Sequence, residues 1–398
     1  MNNVLIGIGG GIAAYKVCSL ISALAKTGEA VRAILSPQGA KFVTPLTLST
    51  LCRSPVYLEA DLWSPSQARP LHIELGEWAT TLLIAPLTAN TLAELSHGFA
   101  TSLMGNTVLA SSAPVLLAPA MNTTMWQQPV VQENFRRLLE QPRFHSIGPD
   151  FGVLACDAVG PGKMVDPQQL FAYLESLGYS GGKRDLSGKH ILVTAGGTRE
   201  YLDPVRFIGN PSTGKMGLSL ALAAAHRGAT VQLVVGPRVE VPIGLSIQGT
   251  TITSAAEMQQ ALQRLFPQAD WLLMAAAVAD FKPATYHPTK LPKVAIADRL
   301  ELEAVPDLLQ MLSAQKKPHQ KLIGFAAQTG DMVAPAAKKL VQKGLDAIVA
   351  NPIDQPEAGF GSDRNRAVWM TPQLPPVVIP TQSKLSLAHR ILDLALTL

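Results

Sequence analysis

The stretch GNPSTGKMG, residues 209–217, has two glycines and a lysine at the spacing of a phosphate-binding P-loop. In a P-loop the lysine is followed by serine or threonine, whose hydroxyl holds Mg²⁺ against the phosphates. Met216 stands there instead, and a thioether is a poor ligand for so hard a cation. The preceding YLDPVRFI contains Asp203 and Pro204, which interrupt the buried strand that a P-loop requires. We therefore expect a different kind of phosphate site, with the glycine turn of HILVTAGGT as the better cradle.

Three side chains of the first half have types suited to acid–base or binding chemistry. Cys156 in ACDAVGPGKM precedes a glycine-rich stretch that we expect to be flexible, and a thiol on such a lid can deliver a proton, although an ordinary loop explains the pattern equally well. His72 in LHIELGEWA is expected at a loop or strand edge, where a lone histidine is more often structural. Asn122 ends an apolar run in APAMNTTMW. Its amide can bind a carboxylate, but an ordinary turn explains an asparagine at this position equally well.

The elements that position these residues follow from an alternation of short apolar runs with longer amphipathic ones. In the first half NVLIGIGG, AVRAILS, TTLLIAP and APVLLAPAMN predict strands, and a helix is expected over 12–26. In the second half HILVTAGG, TVQLVVGP, WLLMAAAVAD, KLIGFAAQ and DAIVANP predict strands, with helices near 216–227, 255–266 and 333–343. This alternation is typical of α/β proteins and predicts two doubly wound, mostly parallel sheets.

The two halves are separated by LGYSGGKRDLSGK, a polar, glycine-containing stretch. We expect a first domain over residues 1–178, a linker over 179–189 with the boundary near Leu186, and a second domain over 190–398. Ligands of such sheets bind outside the carboxyl ends of the strands. GIGGGIAAYK follows the first strand and opens a helix, but its spacing is not GxGxxG, and a glycine cluster alone serves tight packing as often as ligand binding.

Composition limits the classes of function. The 398-residue chain carries a net charge of +4 with scattered lysines and arginines, which favours anionic small molecules over nucleic acid. Hydrophobic residues make up 47% and charged residues 16%, as expected of an oligomer. Three cysteines without a CxxC pair argue against a disulfide scaffold or zinc site. Apolar runs fall short of the roughly 20 residues of a membrane span, so we expect a cytoplasmic protein.

Across nearly all of residues 1–177, six segments in order resemble the phosphopantothenoylcysteine decarboxylase branch of the flavin-containing cysteine decarboxylases. These segments are GGIAAYK, FVTPLTL, HIELGEWA, APLTANTLAELSHG, PAMNTTMW and the cysteine followed by GPGKM. The resemblance implies a flavodoxin- or Rossmann-like flavoprotein domain that binds FMN, with trimer contacts completing the site. The implied FMN residues are Gly10, Gly11, Ser36, Thr88, Ala89 and Asn90.

The implied reaction is redox-neutral overall. The cysteinyl thiol of the substrate is oxidised towards a thioaldehyde, carbon dioxide leaves from the adjacent carbon, and the flavin then returns the electrons. By resemblance, His72 assists the oxidative decarboxylation, Asn122 holds the substrate carboxylate, and Cys156 supplies the final proton. A proton donor works best when its pKa lies near the working pH.

The second half is similar to the phosphopantothenate–cysteine ligases over most of residues 188–365, through VTAGGTREYLDPVRFIGNPSTGKMG, AAAVADFKP, GFAAQT and LDAIVAN. The resemblance implies a Rossmann-like domain in which Asn210 stabilises an acyl-cytidylate and Lys290 acts at the α-phosphate, while Mg²⁺, its ligands unassigned, draws away pyrophosphate. The implied CTP residues are Ala275, Asp280, Lys290, Asp307, Phe325, Lys339 and Lys343. From the residues alone, we interpret Phe325 as a residue of the hydrophobic core, and Lys339 and Lys343 as part of a solvent-exposed helix face.

Some positions depart from the family patterns, namely Gly9, Thr101, Asp157, Ala158, Val305 and Gln328. These departures affect how tightly FMN and the nucleotide are expected to bind. They also leave open whether the nucleotide is CTP or ATP. A regulatory binding subunit with eroded sites, or a chain that retains one activity, stays an alternative, although the retained His72, Asn122 and Cys156 argue against erosion.

Taken together, the resemblances imply a bifunctional enzyme of coenzyme A synthesis, both a carboxy-lyase and an acid–amino-acid ligase. Its substrates would be 4′-phosphopantothenate, cysteine, CTP and phosphopantothenoylcysteine, with no nucleic-acid or membrane partner. Decarboxylase trimers joined through ligase dimers would give a homo-oligomer as large as a dodecamer.

Overall fold

The computed structural model describes residues 2–65, 68–242, 245–293, 299–355, 359 and 361–398. The chain forms two compact units: the first comprises the residues up to Lys183 together with Leu245, and the second comprises the other described residues from Arg184 onwards. The expected bounds of the two domains and of the linker at 179–189 stay a prediction. Within that stretch a helix continues to Ser180, and the side chain of Leu186 is fully buried.

The first unit is a six-stranded parallel sheet with the order β3-β2-β1-β4-β5-β6. Its strands are β1 (Asn3–Ile8), β2 (Ala30–Leu35), β3 (Val56–Leu58), β4 (Thr81–Leu87), β5 (Val115–Pro119) and β6 (Phe144–Ser146), followed by the antiparallel hairpin of β7 (Asp150–Val153) and β8 (Val159–Lys163). Every residue of β4 is buried, as expected of a central strand that is covered on both faces.

Helices cover both faces of this sheet. They are α1 (Ala14–Lys26), α2 (Pro45–Cys52), α3 (Leu71–Trp78), α4 (Ala89–His97), α5 (Leu103–Leu109), α6 (Thr123–Trp126), α7 (Pro129–Leu139) and α8 (Pro167–Ser180). Side chains of α1, α2 and α8 form one core with Ile6, Ala33 and Leu83. Those of α3, α4, α5 and α7 form a second core with Leu5 and Leu82, on the opposite face. The predicted doubly wound arrangement is confirmed.

The second unit has an eight-stranded sheet with the order β13-β12-β9-β14-β17-β18-β19-β20. Its strands are β9 (His190–Ala195), β12 (Thr230–Val235), β13 (Ile247–Thr251), β14 (Trp271–Met274), β17 (Lys321–Gln328), β18 (Ala347–Pro352), β19 (Arg364–Met370) and β20 (Val377–Ser383). The first six are parallel, and β19 and β20 extend the sheet antiparallel. Two small antiparallel ribbons complete the unit, β10 (Arg199–Tyr201) with β11 (Phe207–Gly209) and β15 (Phe281–Pro283) with β16 (Leu302–Ala304).

The helices of this unit are α9 (Lys215–His226), α10 (Ala255–Leu265), α11 (Leu308–Gln315), α12 (Val333–Gln342) and α13 (Lys384–Ala395). Side chains of α10, α11 and α12 share a core with the central strands, whereas α9 and α13 pack against each other. The segment before Gly209 belongs to the small β10–β11 ribbon and not to a central strand, which is the geometry expected if GNPSTGKMG is not a P-loop. No helix in the described part of the chain is long and apolar enough to cross a bilayer.

Candidate active sites

The first candidate site is a cavity of about 540 Å³ at the carboxyl ends of the first sheet. It lies where the strand order reverses between β1 and β4, because the turns after these two strands both line it. Four groups of lining residues come from the glycine turn and α1, the start of α4, the β5–α6 turn and the β7–β8 hairpin. They include Gly10, Gly11, Lys16, Thr88, Ala89, Asn122, Cys156 and Lys163.

Local sequence explains the shape of the cavity floor. A Cβ on Gly9 would lie 2.3 Å from the carbonyl oxygen of Pro86, so the backbone here leaves no room for a side chain. A Cβ on Gly10 would lie 2.2 Å from Cβ of Gln38. The helix α1 then begins with no side-chain cap, and the N–H groups of Ala14 and Lys16 donate to the carbonyl oxygens of Gly11 and Ala13. The positive end of the helix dipole at this turn favours an anion.

Cys156 lies at the tip of the β7–β8 hairpin and is exposed. The Nδ2 of Asn122 donates to its Sγ at 3.4 Å. A hydrogen bond from the backbone N–H of Ala158, together with that from Asn122, lowers the pKa of the Cys156 thiol below its ordinary value, while the carboxylate of Asp157 acts in the opposite direction. The thiol is thus the most acidic of the three cysteines, since burial raises the pKa of Cys18 and takes that of Cys52 to about 12.

The turn that presents Cys156 is held by its own backbone hydrogen bonds, and the expected mobility of the glycine-rich stretch stays a prediction. Asp157 takes a left-handed conformation with a φ of 61°, and Leu154 exchanges two backbone hydrogen bonds across the turn, with Asp157 and Ala158. Gly162 is buried in β8, and a Cβ there would lie 2.2 Å from the carbonyl oxygen of Met121. The glycines of VGPGK therefore allow the hairpin to dock against the segment that carries Asn122.

Asn122 is fixed from the other side by its role as a helix cap. Its Oδ1 accepts from the N–H of Thr124 at 2.8 Å at the start of α6, which leaves Nδ2 free to point at Cys156. The structure therefore brings Asn122 and Cys156 together, over a cavity whose charged lining side chains among the described residues are two lysines, Lys16 and Lys163. Sequence reasoning assigned no role to either lysine.

The remaining predicted residues of the first half lie apart from this pair. His72 is in the first turn of α3, so its expected place on a loop or strand edge was wrong; PLHIELGEW is a short amphipathic helix starting after Pro70. Its Nδ1 is buried without a hydrogen-bond partner among the described residues, and His72 is not among those lining the cavity. Ser36 accepts from the N–H of Gly39 at 3.0 Å, and Asn90 is an exposed residue of the first turn of α4.

The second candidate site is a cavity of about 120 Å³ at the carboxyl ends of β14, β17 and β18 in the second sheet. The glycine turn after β9, expected to be the phosphate cradle, is not among the residues that line it. The segment 212–217 forms one wall, and Lys215 is the first residue of α9. Two residues predicted to bind nucleotide, Ala275 and Phe325, line it. Phe325 is half-buried beside the cavity, so it is not simply core.

Asn210 lies at the edge of this site. Its Nδ2 donates to the carbonyl oxygens of Ala277 and Val278 at 3.3 and 3.1 Å, which holds the amide against the turn after β14. The backbone needs glycine here, because a Cβ on Gly197 would lie 2.6 Å from the carbonyl oxygen of Asn210. The turn after β9 and the GNPSTGKMG segment thus touch through their backbones.

The other predicted nucleotide residues do not line this cavity. Lys343 is paired with Asp307, Nζ to Oδ2 at 2.9 Å, and Asp307 caps α11 through the N–H of Gln310. Lys339 lies exposed on α12, four residues before Lys343. Asp280 and Lys290 are also exposed.

The loop that carries Lys290 has an anchor that sequence reasoning treated only as a strand breaker. Asp203 is fully buried and accepts from the N–H of Leu291 at 3.2 Å, while the guanidinium of Arg206 donates to the carbonyl oxygen of Leu291 at 2.7 Å. The side chain of Arg206 and the N–H groups around it hold the pKa of Asp203 well below its usual value, so the carboxylate stays ionised. The YLDPVR turn therefore holds the backbone of Leu291, which is the residue next to Lys290.

Lys384 is the functional candidate that the sequence did not reveal. It is buried at the start of α13, lines the second cavity, and donates to the carbonyl oxygen of Gly359 at 3.0 Å. Burial and the nearby charge of Lys215 lower its pKa. No group of three or more His, Cys, Asp or Glu side chains in the described ranges is arranged to hold a metal.

Comparison with known proteins adds the family. The flavoprotein family matches residues 1–177, and the DNA/pantothenate metabolism flavoprotein C-terminal domain matches residues 186–398. The coenzyme A biosynthesis bifunctional protein CoaBC of Bacillus subtilis is 40% identical over 393 residues, 98% of this chain and 96% of the relative. That of Escherichia coli is 38% identical over 393 residues, 98% and 95%.

Two solved structures are each similar to part of the chain. The C-terminal domain of a coenzyme A biosynthesis bifunctional protein CoaBC is 35% identical and covers 52% of this chain and 94% of its own, with a TM-score of 0.44. The FMN binding protein AtHal3 is 32% identical and covers 44% and 95%, with a TM-score of 0.39.

Proposed function

The chain belongs to the family of CoaBC bifunctional proteins of coenzyme A biosynthesis, and from that premise we propose which of its residues perform each of the two reactions. It is a flavoprotein phosphopantothenoylcysteine decarboxylase joined to a phosphopantothenate–cysteine ligase. A regulatory subunit with eroded sites is not favoured.

The observation that carries the decarboxylase assignment is the contact between Asn122 and Cys156 at the mouth of the larger cavity. About 540 Å³ is within the range of cofactor and ligand pockets. The glycine turn, the uncapped start of α1, and Thr88 and Ala89 at the start of α4 suit a phosphate-bearing FMN, with the two lysines balancing its charge. When bound, the flavin takes an electron pair from the substrate thiol and returns it after carbon dioxide has left.

The residues of this chain then have separate tasks. The amide of Asn122 holds the substrate carboxylate, and its bond to Sγ places the thiol beside the same carbon skeleton. Cys156 delivers the last proton, for which a thiol pKa lowered towards the working pH is suitable. His72 assists the oxidative step, and because it does not line the cavity within one chain, we propose that a second copy brings its His72 to the site, as in the expected trimer.

In the ligase, the carboxylate of phosphopantothenate attacks the α-phosphate of CTP, pyrophosphate leaves, and the amine of cysteine captures the acyl-cytidylate. Asn210 is held at the cavity edge to stabilise that intermediate, and Lys290 offsets charge at the α-phosphate. Asp280, Asp307, Lys339 and Lys343 bind the nucleotide together with Ala275 and Phe325. Mg²⁺ enters bound to the phosphates, as is usual for this ion. Ligase dimers would join the trimers, and we expect the protein to act in the cytoplasm.

Each half is tested with its own substrate. Given phosphopantothenoylcysteine alone, the purified protein should release carbon dioxide, and given phosphopantothenate with CTP, Mg²⁺ and cysteine it should release pyrophosphate. Cys156→Ser should block only formation of the reduced thiol product from phosphopantothenoylcysteine, and Asn210→Asp should block only the release of pyrophosphate. Loss of both activities in either variant would contradict the division of labour. A purified protein that is colourless, and that shows no protein-bound flavin absorbance after FMN is added and the free FMN is removed, would contradict the flavin site.

A further inference from the structure

Another cavity of the first unit lies at the end of the sheet opposite to Asn122 and Cys156. Its volume is about 290 Å³, and the last residues of α4, α5 and α7 surround it together with the start of β6. Because β6 runs parallel to the other strands and begins here, the cavity lies at the amino ends of the strands. The two proposed reactions make no use of this place in the fold.

Two arginines line this cavity, and no aspartate or glutamate does so among the residues that the structure describes. Arg137 is exposed in the last turn of α7, and Arg143 is half-buried just before β6. No ion pair within the described ranges involves either of them. Two guanidinium groups around one cavity repel each other, and an anion bound there would offset that repulsion.

The guanidinium of Arg143 is held in place by neutral groups. Its Nε donates to the carbonyl oxygen of Ala113 and its Nη1 to that of Val108, both at 3.2 Å, and its Cζ lies 5.4 Å from the centre of the Phe144 ring. Its Nη2 is buried and has no hydrogen-bond partner in the described part of the chain. Burial lowers the pKa of Arg143, but an arginine stays charged at neutral pH. Carbonyl oxygens fix this group without balancing its charge.

The acids of α7 do not compensate Arg137. Glu133 and Glu140 lie about one turn away on either side of it, but both pair with Arg136, the exposed neighbour that does not line the cavity. Gln141 adds an amide to the lining, which is neutral. The charged side chains that face this cavity from the described residues of α7 and β6 are therefore cations.

Size and chemistry indicate the class of ligand. About 290 Å³ is close to the lower limit of pockets for small molecules, and a bare phosphate ion would not fill it. The planar fork of a guanidinium suits the paired oxygens of a phosphoryl group, and two such forks match a doubly charged one. Leu95 and Leu109 add apolar surface beside the arginines, which favours an anion that is larger than phosphate itself.

We propose that the cavity of Arg137 and Arg143 binds a small phosphate-bearing anion, at a site separate from both active sites. This inference goes beyond the two reactions and does not depend on the residues assigned to them. Two products of the family's reactions carry the required group, namely the pyrophosphate that the ligase releases and the phosphopantetheine that the decarboxylase forms.

The test counts phosphate sites on the full chain, loaded with FMN and saturated with CTP, by equilibrium dialysis with radiolabelled inorganic phosphate. Any other phosphate site is common to all variants, so only differences between them are used. We expect Arg137→Gln to weaken one site of the wild-type protein roughly tenfold or more, the scale of a lost charge-assisted hydrogen bond. Arg143→Lys keeps the charge but loses the fork, and it should weaken the same site.

The matched control is Arg264→Gln, which removes an exposed arginine of α10 and should bind phosphate as the wild type does. Because Arg137 is exposed, its replacement should leave the thermal melt unchanged, so the test stands even if Arg143→Lys proves unstable. Equal phosphate binding by the wild type and Arg137→Gln would overturn the proposal.

Competition for the labelled phosphate then identifies the ligand. Displacement from this site by pyrophosphate would indicate the ligase product, and displacement by phosphopantetheine would indicate the decarboxylase product. Pantetheine, which lacks the phosphate, should displace nothing. Failure of both phosphate-bearing compounds to compete would contradict a site for an anion of this class.

Discussion

The Nδ2 of Asn122 lies 3.4 Å from the Sγ of Cys156, across 34 residues of sequence. One end of this contact is fixed by the cap that Asn122 provides to α6, and the other by the hairpin turn that presents the thiol. The pair therefore holds the proposed carboxylate-binding group and the proposed proton donor side by side.

Replacing Cys156 by serine should stop the reaction after carbon dioxide has left, because a hydroxyl of much higher pKa cannot supply the last proton. We expect one equivalent of carbon dioxide per site and at least a hundredfold fall in product formation, of the order of a lost general acid. Rapid-quench mass spectrometry of the bound species measures this. Cys18→Ser, a partly buried thiol of α1, is the matched control and should turn over normally. Normal turnover by Cys156→Ser would refute the proton-donor role.

The pH dependence of the final step should follow the protonated thiol. Hydrogen bonds from Ala158 N–H and from Asn122 stabilise the thiolate and lower the pKa of Cys156, so the protonated fraction and the rate fall as pH rises through that lowered value. Asn122→Ala removes one of these bonds and should move the alkaline limb to higher pH. Alkylation of Cys156 by iodoacetamide across pH gives the thiolate fraction directly. A limb that stays in place, or moves to lower pH, would contradict this contact.

Docking of the hairpin should depend on Gly162 and not on the glycine in the paired strand. A Cβ at residue 162 would overlap the carbonyl oxygen of Met121 at 2.2 Å, where φ is 143°, whereas a Cβ on Gly152 meets only the side chain of Lys163 at 3.7 Å. Gly162→Ala should cost roughly 1–3 kcal/mol in the free energy of unfolding and lower decarboxylase activity. Gly152→Ala is the control and should lie within about 0.5 kcal/mol of wild type. Urea denaturation followed by fluorescence compares them; equal stabilities would disprove the close packing.

The anchor at Asp203 should matter for the ligase alone. Asp203→Asn cannot accept strongly from both Arg206 and the N–H of Leu291, so the loop with Lys290 should lose its fixed position. We expect a roughly tenfold fall in the rate of pyrophosphate release, the scale of one charged hydrogen bond, with carbon dioxide release from phosphopantothenoylcysteine unchanged in the same preparation. A ligase rate within error of wild type would show that the anchor does not position Lys290.

The sheets were predictable because fully buried parallel strands are long uninterrupted apolar runs, as in TTLLIAP and HILVTAGG. The bounds of the helices were predicted to within one or two residues. Helices α9 and α12, for example, begin and end close to the polar residues and glycines that flank their apolar pattern. His72 was misplaced because an eight-residue helix contains too few turns to show a period. The glycines of VGPGK are compatible with a mobile stretch and with close backbone contact, and the contact of Gly162 with Met121 is a tertiary feature that the sequence does not contain.

Burial of charge was the other property that the sequence could not supply. SKLSLAHR predicts an ordinary helix start, and nothing in it shows that Lys384 faces a cavity also lined by Lys215, which is 169 positions earlier. In the same way, Lys339 and Lys343 have the spacing of one helix face, but the structure adds that Lys343 is paired with Asp307. A carboxylate partner and a bound ligand compete for the same lysine, and the outcome depends on distances that exist only in the folded chain.

The account is tested most directly by following one mixture through both reactions. Purified protein, phosphopantothenate, cysteine, CTP and Mg²⁺ should yield pyrophosphate and carbon dioxide in equal amounts, with phosphopantetheine as the final thiol product identified by mass. Pyrophosphate without carbon dioxide would remove the decarboxylase from the account. Absence of pyrophosphate under the same conditions would contradict the ligase.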